Sequence, residues 1–201
     1  MRTVEDIPAL EALYGTPGEA SLRKVAPQLT STYRRWIMAS RFCILSTVGP
    51  EGTDASPRGD DGPVVLELDP QTLAMPDWRG NQRLDSLRNI VSDGRVSLMF
   101  MEPGSNNVVR VNGSAVLSDD PDLVDRFEQK GRNPTTVIVI RIAEVYTQCA
   151  RALIRSGLWT RGDESGKLPS VGEIMTDVTE GDFDGVTYDA DWAARAAKTM
   201  W

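Results

Sequence analysis

The sequence predicts a mainly β protein, an antiparallel barrel or sandwich of about six strands with helices on its flanks. Three observations predict it. Between Arg41 and Tyr146, short runs rich in β-branched and aromatic residues recur at close spacing. Several are joined by tight turns such as Gly49-Pro50-Glu51-Gly52 and Pro103-Gly104-Ser105-Asn106. The helical interruptions are too few and too short for a βαβ chain, and no internal repeat of fixed period is present.

The elements follow in order. Val4, Ile7, Leu10, Leu13 and Tyr14 recur at helical spacing up to the break at Pro17-Gly18. Two further helical stretches run from Ser21 to Ala26 and from Ser31 to Ser40, the latter with an apolar stripe of Tyr33, Trp36 and Ile37. All three are expected to cover one side of a core. Strands are predicted over Phe42 to Val48, Thr53 to Asp60, Pro63 to Leu68 and Thr72 to Met75. Trp78 to Asn81 is a loop that enters a helix over Arg83 to Ser92, with Leu84, Leu87, Ile90 and Val91 on its inner face. Strands over Arg95 to Met101 and Asn107 to Leu117 precede a helix over Asp119 to Lys130, capped by Asp119 or Asp120 and carrying Pro121 in its first turn. Thr135 to Tyr146 is a long strand. Beyond Trp159 the chain is polar, then acidic from Asp177 to Asp191, and runs into Trp192 and Trp201. Two readings stay open for it: an arm held by aromatic anchors, or a loosely ordered tail.

Composition narrows the function classes. The 201 residues suit one domain with short additions. A net charge of −7 argues against a general nucleic-acid binder, which needs a basic face, but leaves room for a small anion held by local arginines. No apolar run is long enough to predict a membrane span, and Met1 to Asp6 carries two acids and no export signal. Cys43 and Cys149 are therefore expected as reduced thiols in a soluble, cytoplasmic protein. Histidine is absent, which removes Ser-His-Asp catalysis and HExxH chemistry; two cysteines are too few for a thiolate cluster, so no metal site is expected. Any chemistry is expected from a bound cofactor. Gly162 to Lys167 imitates a phosphate loop but is one residue short, with Leu168 where a hydroxyl belongs, and no GxGxxG fingerprint occurs.

Three segments could hold a phosphate. On an extended Ala55-Ser56-Pro57-Arg58-Gly59-Asp60, Ser56 and Arg58 share a face, although Arg58 could pair with Asp60 or Asp61 instead. In Asp77 to Asn89, a glycine-containing loop enters a helix whose N-terminal N–H groups suit an anion; Asn81, Arg83 and Ser86 add donors, although Asn81 could be a simple cap. On Val109 to Leu117, Arg110 and Asn112 share a face opposite Val109 and Val111, with Arg110 either solvent-facing or paired with an anion.

The order and spacing of five segments resemble the pyridoxamine-phosphate-oxidase-like FMN-binding split barrels. They are Arg41 to Thr47, Ala55 to Asp60, Gly80 to Ile90, Arg95 to Phe100 and Arg110 to Ala115, within a stretch from about Trp36 to Trp159. The resemblance implies a six-stranded antiparallel split β-barrel over residues 36–159, with an N-terminal helical segment at 1–35 and a C-terminal loop and arm at 160–201. It implies a homodimer with FMN at the subunit interface, and phosphate contacts from Ser56, Arg58, Asn81, Arg83 and Ser86. Met75, Pro76 and Asp77 match the stretch whose backbone runs beside the flavin ring, and Arg110 joins the cofactor set. A subfamily closes its barrel with a Cys-x-Lys-Ala-x-x-Arg-Ser-x-x-Trp-like segment, which stands here as Cys149-Ala150-Arg151-Ala152-Leu153-Ile154-Arg155-Ser156-Gly157-Leu158-Trp159. Cys149, Arg151, Arg155 and Trp159 are the substrate-side candidates, against the alternative of a helix that packs Leu153 and Trp159 and leaves its arginines wet. Gln148 stands where those relatives tend to have histidine, and the arginine-and-histidine tail of true pyridoxamine-phosphate oxidases is missing. The implied function is an FMN-dependent oxidoreductase on a small molecule; a non-catalytic flavin-binding or redox-sensing protein and a deazaflavin-binding relative are the alternatives.

Overall fold

A computed structural model describes residues 1–149 and 151–200. Three short helices come first: α1 (Ile7–Tyr14), α2 (Glu19–Arg23) and α3 (Ser31–Ile37). Then follow β1 (Phe42–Gly49), β2 (Gly52–Gly59), β3 (Leu66–Asp69), β4 (Thr72–Asp77), α4 (Asp85–Ser92), β5 (Arg95–Met101), β6 (Val108–Ser118), α5 (Pro121–Val124) and β7 (Thr136–Gln148). The chain ends with α6 (Arg151–Ser156), α7 (Val171–Val178), α8 (Gly185–Ala190) and α9 (Trp192–Thr199). Ala150 and Trp201, the latter expected as an aromatic anchor, lie outside the described residues.

The strands form one antiparallel sheet of seven in the order β2-β1-β5-β6-β7-β4-β3. Alternation builds its inside: Cys43 and Leu45 of β1, Leu98 and Phe100 of β5, Val109 and Val111 of β6, and Ile138 and Ile140 of β7 are buried while their neighbours are less so, except Val137, which is buried on the other face with Ala74 and Phe127. These residues share one core with Leu73 and Met75 of β4. Strands that stand far apart in the sheet order reach a common core only because the sheet curls round, which makes it a split barrel. At the split, β2 faces β4 through side chains instead of a backbone ladder. Pro57, which cannot donate to a ladder, sits on this edge strand.

Two close backbone approaches shape the barrel. At the bulge between Asn112 and Gly113, a Cβ on Gly113 would stand 2.0 Å from the Arg141 carbonyl oxygen. At the end of β1, a Cβ on Gly49 would stand 2.2 Å from Asn89 Oδ1 and 3.2 Å from the Asn89 Cα, so α4 lies directly on the strand end. Asn89 Nδ2 donates to Thr47 Oγ1 at 3.1 Å, and Ile90 and Leu87 point into the core.

Four expectations need correction. The apolar residues of α1 cover no core: Ile7 is 63% exposed and Leu13 70%, and no residue of the helix is buried, whereas Tyr33, Trp36 and Ile37 of α3 do join the core. Leu84 and Val91 are exposed, so the inner face of α4 is narrower than its sequence pattern. The helix expected over Asp119 to Lys130 is the single turn α5 followed by a 3-10 turn at Asp125–Phe127; Asp120 caps it and Pro121 opens it, and the chain then leaves the helix to bury Phe127. The acidic end is helical, with α7 started by a reciprocal Ser170–Glu173 capping box, but Trp192 is 59% exposed and is not a buried anchor. Among the described residues, no helix is long and apolar enough to cross a membrane.

Candidate functional site

A cleft of about 1510 Å³ opens at the split, between β2, the end of β4, the loop at 78–84 and α4. On β2, Asp54, Ser56 and Arg58 are half-buried toward it, while Ala55, Pro57 and Gly59 are exposed on the other face. Arg58 does not pair with Asp60 or Asp61. Its Nη1 donates to Asp77 Oδ1 across the split at 2.5 Å, with the two side chains 17% and 16% exposed. Arg58 Nε is buried without a partner. Asp60 instead accepts from Trp78 Nε1 at 2.8 Å and from Gln129 Nε2 at 2.5 Å, which fixes the loop behind Asp77.

The other wall is the start of α4. Gln82 and Leu84 adopt left-handed backbone with φ of 60° and 63°, a conformation that residues with a Cβ rarely take. Leu84 is the N-cap residue and makes no side-chain cap, so among the described residues the first N–H groups of the helix lack a side-chain cap. Asn81 is thus not the cap; its Oδ1 accepts from the Arg83 N–H at 3.1 Å. Arg83 Nε donates to Asp85 Oδ2 at 2.9 Å and is 74% exposed. Ser86 is buried and its hydroxyl donates to Asp54. Arg83 and Ser86 thus already donate to a carboxylate, which an incoming anion must share or replace, whereas the bond that Asn81 makes uses its oxygen and not its amide donors. Cys43 is the cross-strand neighbour of Arg58; burial pushes its thiol up to about 12, and the Arg58 charge offsets this only in part.

Of the nine residues predicted for the cofactor, Ser56, Arg58, Pro76, Asp77, Asn81, Arg83 and Ser86 all line this cleft. Two do not. The Met75 side chain is buried in the barrel core. Arg110 lies on the outside of the barrel, with Nη1 donating to Gln148 Oε1 at 3.2 Å and its guanidinium 5.5 Å from the Tyr146 ring centroid. The substrate-side candidates stand elsewhere as well. Cys149, Arg151 and Arg155 are exposed, Leu153 is half-buried, and Trp159 Nε1 donates to the Ser105 carbonyl at 2.8 Å, so α6 leans on the β5–β6 turn. In this chain alone α6 packs as a helix with wet arginines.

Asp54, Thr136 and Trp78 are among the cleft residues that were not predicted as site residues. Asp54 could have been found, since it is two residues before Ser56 on the same face. Trp78 lies within the Asp77 to Asn89 candidate segment and is fixed by its bond to Asp60, whereas Thr136 could not have been found, because only the long-range pairing of β4 with β7 brings it to the wall.

Residues 29–149 match the family described as Pyridoxamine 5'-phosphate oxidase. Among solved structures, the crystal structure of Group A Streptococcus HupZ aligns with a TM-score of 0.51 at 15% identity, covering 61% of this chain and 95% of that one. An FMN-binding protein from Syntrophomonas wolfei subsp. wolfei aligns with a TM-score of 0.42 at 13% identity, covering 57% and 86%. An F420 reductase aligns with a TM-score of 0.42 at 17% identity, covering 60% and 98%. The first supports the barrel fold. No curated protein matches the chain.

Proposed function

This chain belongs to the pyridoxamine 5'-phosphate oxidase family, and on that premise we propose that it binds FMN through the phosphate in the cleft at the split and acts as an oxidoreductase on a small molecule. The observation that carries the reading is the convergence of Ser56, Arg58, Asn81, Arg83 and Ser86, from separate elements, on one cleft beside an uncapped helix start. The donor set fits the group. Arg58 and Arg83 supply charge, Ser56 and Ser86 hydroxyls, and the first turn of α4 its N–H groups, which suits a phosphate dianion. The partnerless Arg58 Nε is a donor the folded chain itself does not use. Asp54 and Asp77, also on the wall, can accept from hydroxyls or a ring N–H.

When bound, FMN supplies a ring that takes up and gives up hydride, and the protein's part is orientation and electrostatics. Arg58 is held at its Nη1 by Asp77, so its guanidinium is oriented before a ligand arrives. The backbone of Met75, Pro76 and Asp77 runs in register with Ile138, Val137 and Thr136, a firm strand edge for the ring to lie against. The assembly we propose is a soluble, cytoplasmic homodimer. Arg110 and the Cys149, Arg151, Arg155 and Trp159 group stand away from the cleft of their own chain, so a second copy is what would bring such residues to the flavin. The flavin unit would be residues 36–159, with 1–35 and 160–201 as additions. With no histidine in the chain, pyridoxamine-phosphate oxidation is not the reaction proposed.

The test is to purify the protein, identify by mass the chromophore released on denaturation, and then add NADH or NADPH anaerobically to the flavin-loaded protein. Released FMN and bleaching of its absorption are expected. FMN that bleaches with neither nucleotide would point to a passive binder, and a protein that takes up no FMN from excess would refute the reading.

A further inference from the structure

Among the described residues, three buried side-chain atoms have no hydrogen-bond partner: Arg58 Nε, Thr136 Oγ1 and Glu102 Oε2. Two of the three belong to residues that line the cleft at the split. Both residues adjoin Asp77. Arg58 Nη1 is bonded to Asp77, and Asp77 is the register partner of Thr136 across the β4–β7 pairing. Thr136 falls on the face of β7 that carries Ile138 and Ile140 into the barrel, so its hydroxyl sits at the end of the barrel interior. Buried polar atoms without partners are uncommon in folded proteins, and two in one cleft mark a place where a ligand group is expected.

We propose that Arg58 Nε and Thr136 Oγ1 together receive a neutral oxygen of the flavin, at a point separate from the phosphate contacts at the start of α4. This rests on the flavin reading above. The chemistry selects a neutral group. Nε can only donate, so the ligand atom must accept; the threonine hydroxyl can donate or accept. The neighbouring Asp77 carboxylate disfavours an anion at this point; the phosphate belongs on the α4 side, where Arg58 meets it through Nη2 while Nη1 holds Asp77 and Nε the neutral oxygen. A sugar-alcohol hydroxyl or a ring carbonyl has the required character. Because Nη1 is already tied to Asp77, Nε points in one direction, and Thr136 is a specificity-determining residue that reads the uncharged part of the ligand.

The experiment is Thr136→Val in the full chain, with FMN and riboflavin titrated separately and the ligand-free melting temperature recorded. The substitution removes the hydroxyl at nearly constant shape. Both flavins are expected to bind roughly 5- to 30-fold more weakly, by the same factor, while the ligand-free melting temperature holds or rises because a partnerless buried hydroxyl has gone. Thr136→Ser, which keeps the hydroxyl, is expected to retain wild-type affinity. Lumiflavin, which lacks the sugar alcohol, then separates a hydroxyl contact from a ring-carbonyl contact. Wild-type affinity of Thr136→Val for both flavins, or a loss confined to FMN, overturns the proposal and leaves the flavin reading standing. Failure of the wild-type protein to bind either flavin overturns both.

Discussion

Replacing Arg58 with alanine perturbs two things at once, and the structure allows them to be separated. The guanidinium is expected to make charge-assisted hydrogen bonds to the ligand phosphate, each worth about 1.5–3 kcal/mol, so FMN should bind roughly 10- to 150-fold more weakly to Arg58→Ala. The same substitution strands the Asp77 carboxylate, which is 16% exposed and bonded to Arg58 Nη1. Breaking a fully buried pair costs about 3–5 kcal/mol, but here the cleft admits water, and screening reduces the expected loss of stability to about 1–2 kcal/mol. The double variant Arg58→Ala/Asp77→Asn removes the stranded charge. It is expected to recover most of the lost stability in urea while FMN affinity stays low. Quenching of flavin fluorescence reads the affinity, and circular dichroism reads the unfolding. FMN affinity of Arg58→Ala within twofold of wild type would refute the assignment of this side chain to the phosphate.

Other outcomes follow from the same geometry. Arg83 is 74% exposed and its pair with Asp85 is a surface pair, so Arg83→Ala should leave the urea midpoint nearly unchanged yet weaken FMN binding about tenfold or more; equal losses in both would show a structural role. Gly113→Ala forces a Cβ into the Arg141 carbonyl at the β6–β7 bulge and is expected to cost about 1–3 kcal/mol or prevent folding, and a variant as stable as wild type in urea would contradict the close approach. The Cys43 thiol titrates at about 12 in the folded chain against an ordinary value of 9.0, so its contribution to stability is complete below about pH 9 and is lost as the pH rises toward about 12. Cys43→Ala should flatten that alkaline loss in pH-dependent melts. A thiol reagent should label Cys149, which is exposed, in the native protein and reach buried Cys43 only on unfolding.

The parts of the site that were legible in the sequence are those governed by local periodicity. Period-two alternation placed Ser56 and Arg58 on one face, and the loop-to-helix pattern placed Asn81, Arg83 and Ser86 beside a helix start; both hold in the structure. What local reasoning could not supply was partners. The alternative to a phosphate for Arg58 was a neighbour in sequence, Asp60 or Asp61, yet its protein partner is Asp77, 19 residues away, because the sheet curls until β2 faces β4. Thr136 carries no signal of its own and becomes part of the wall only through the β4–β7 register. The opposite failure occurs at α1, whose apolar spacing predicts a helix correctly but cannot say whether anything covers it.

The most direct test of the central claim compares FMN with riboflavin, which differ only by the phosphate, in parallel fluorescence titrations of flavin-free wild-type protein. A phosphate held by Arg58, Arg83, the serine hydroxyls and the start of α4 predicts that FMN binds at least about tenfold more tightly, with the margin shrinking as salt is raised. Equal affinity for the two flavins, or a preference for riboflavin, would contradict the phosphate clamp.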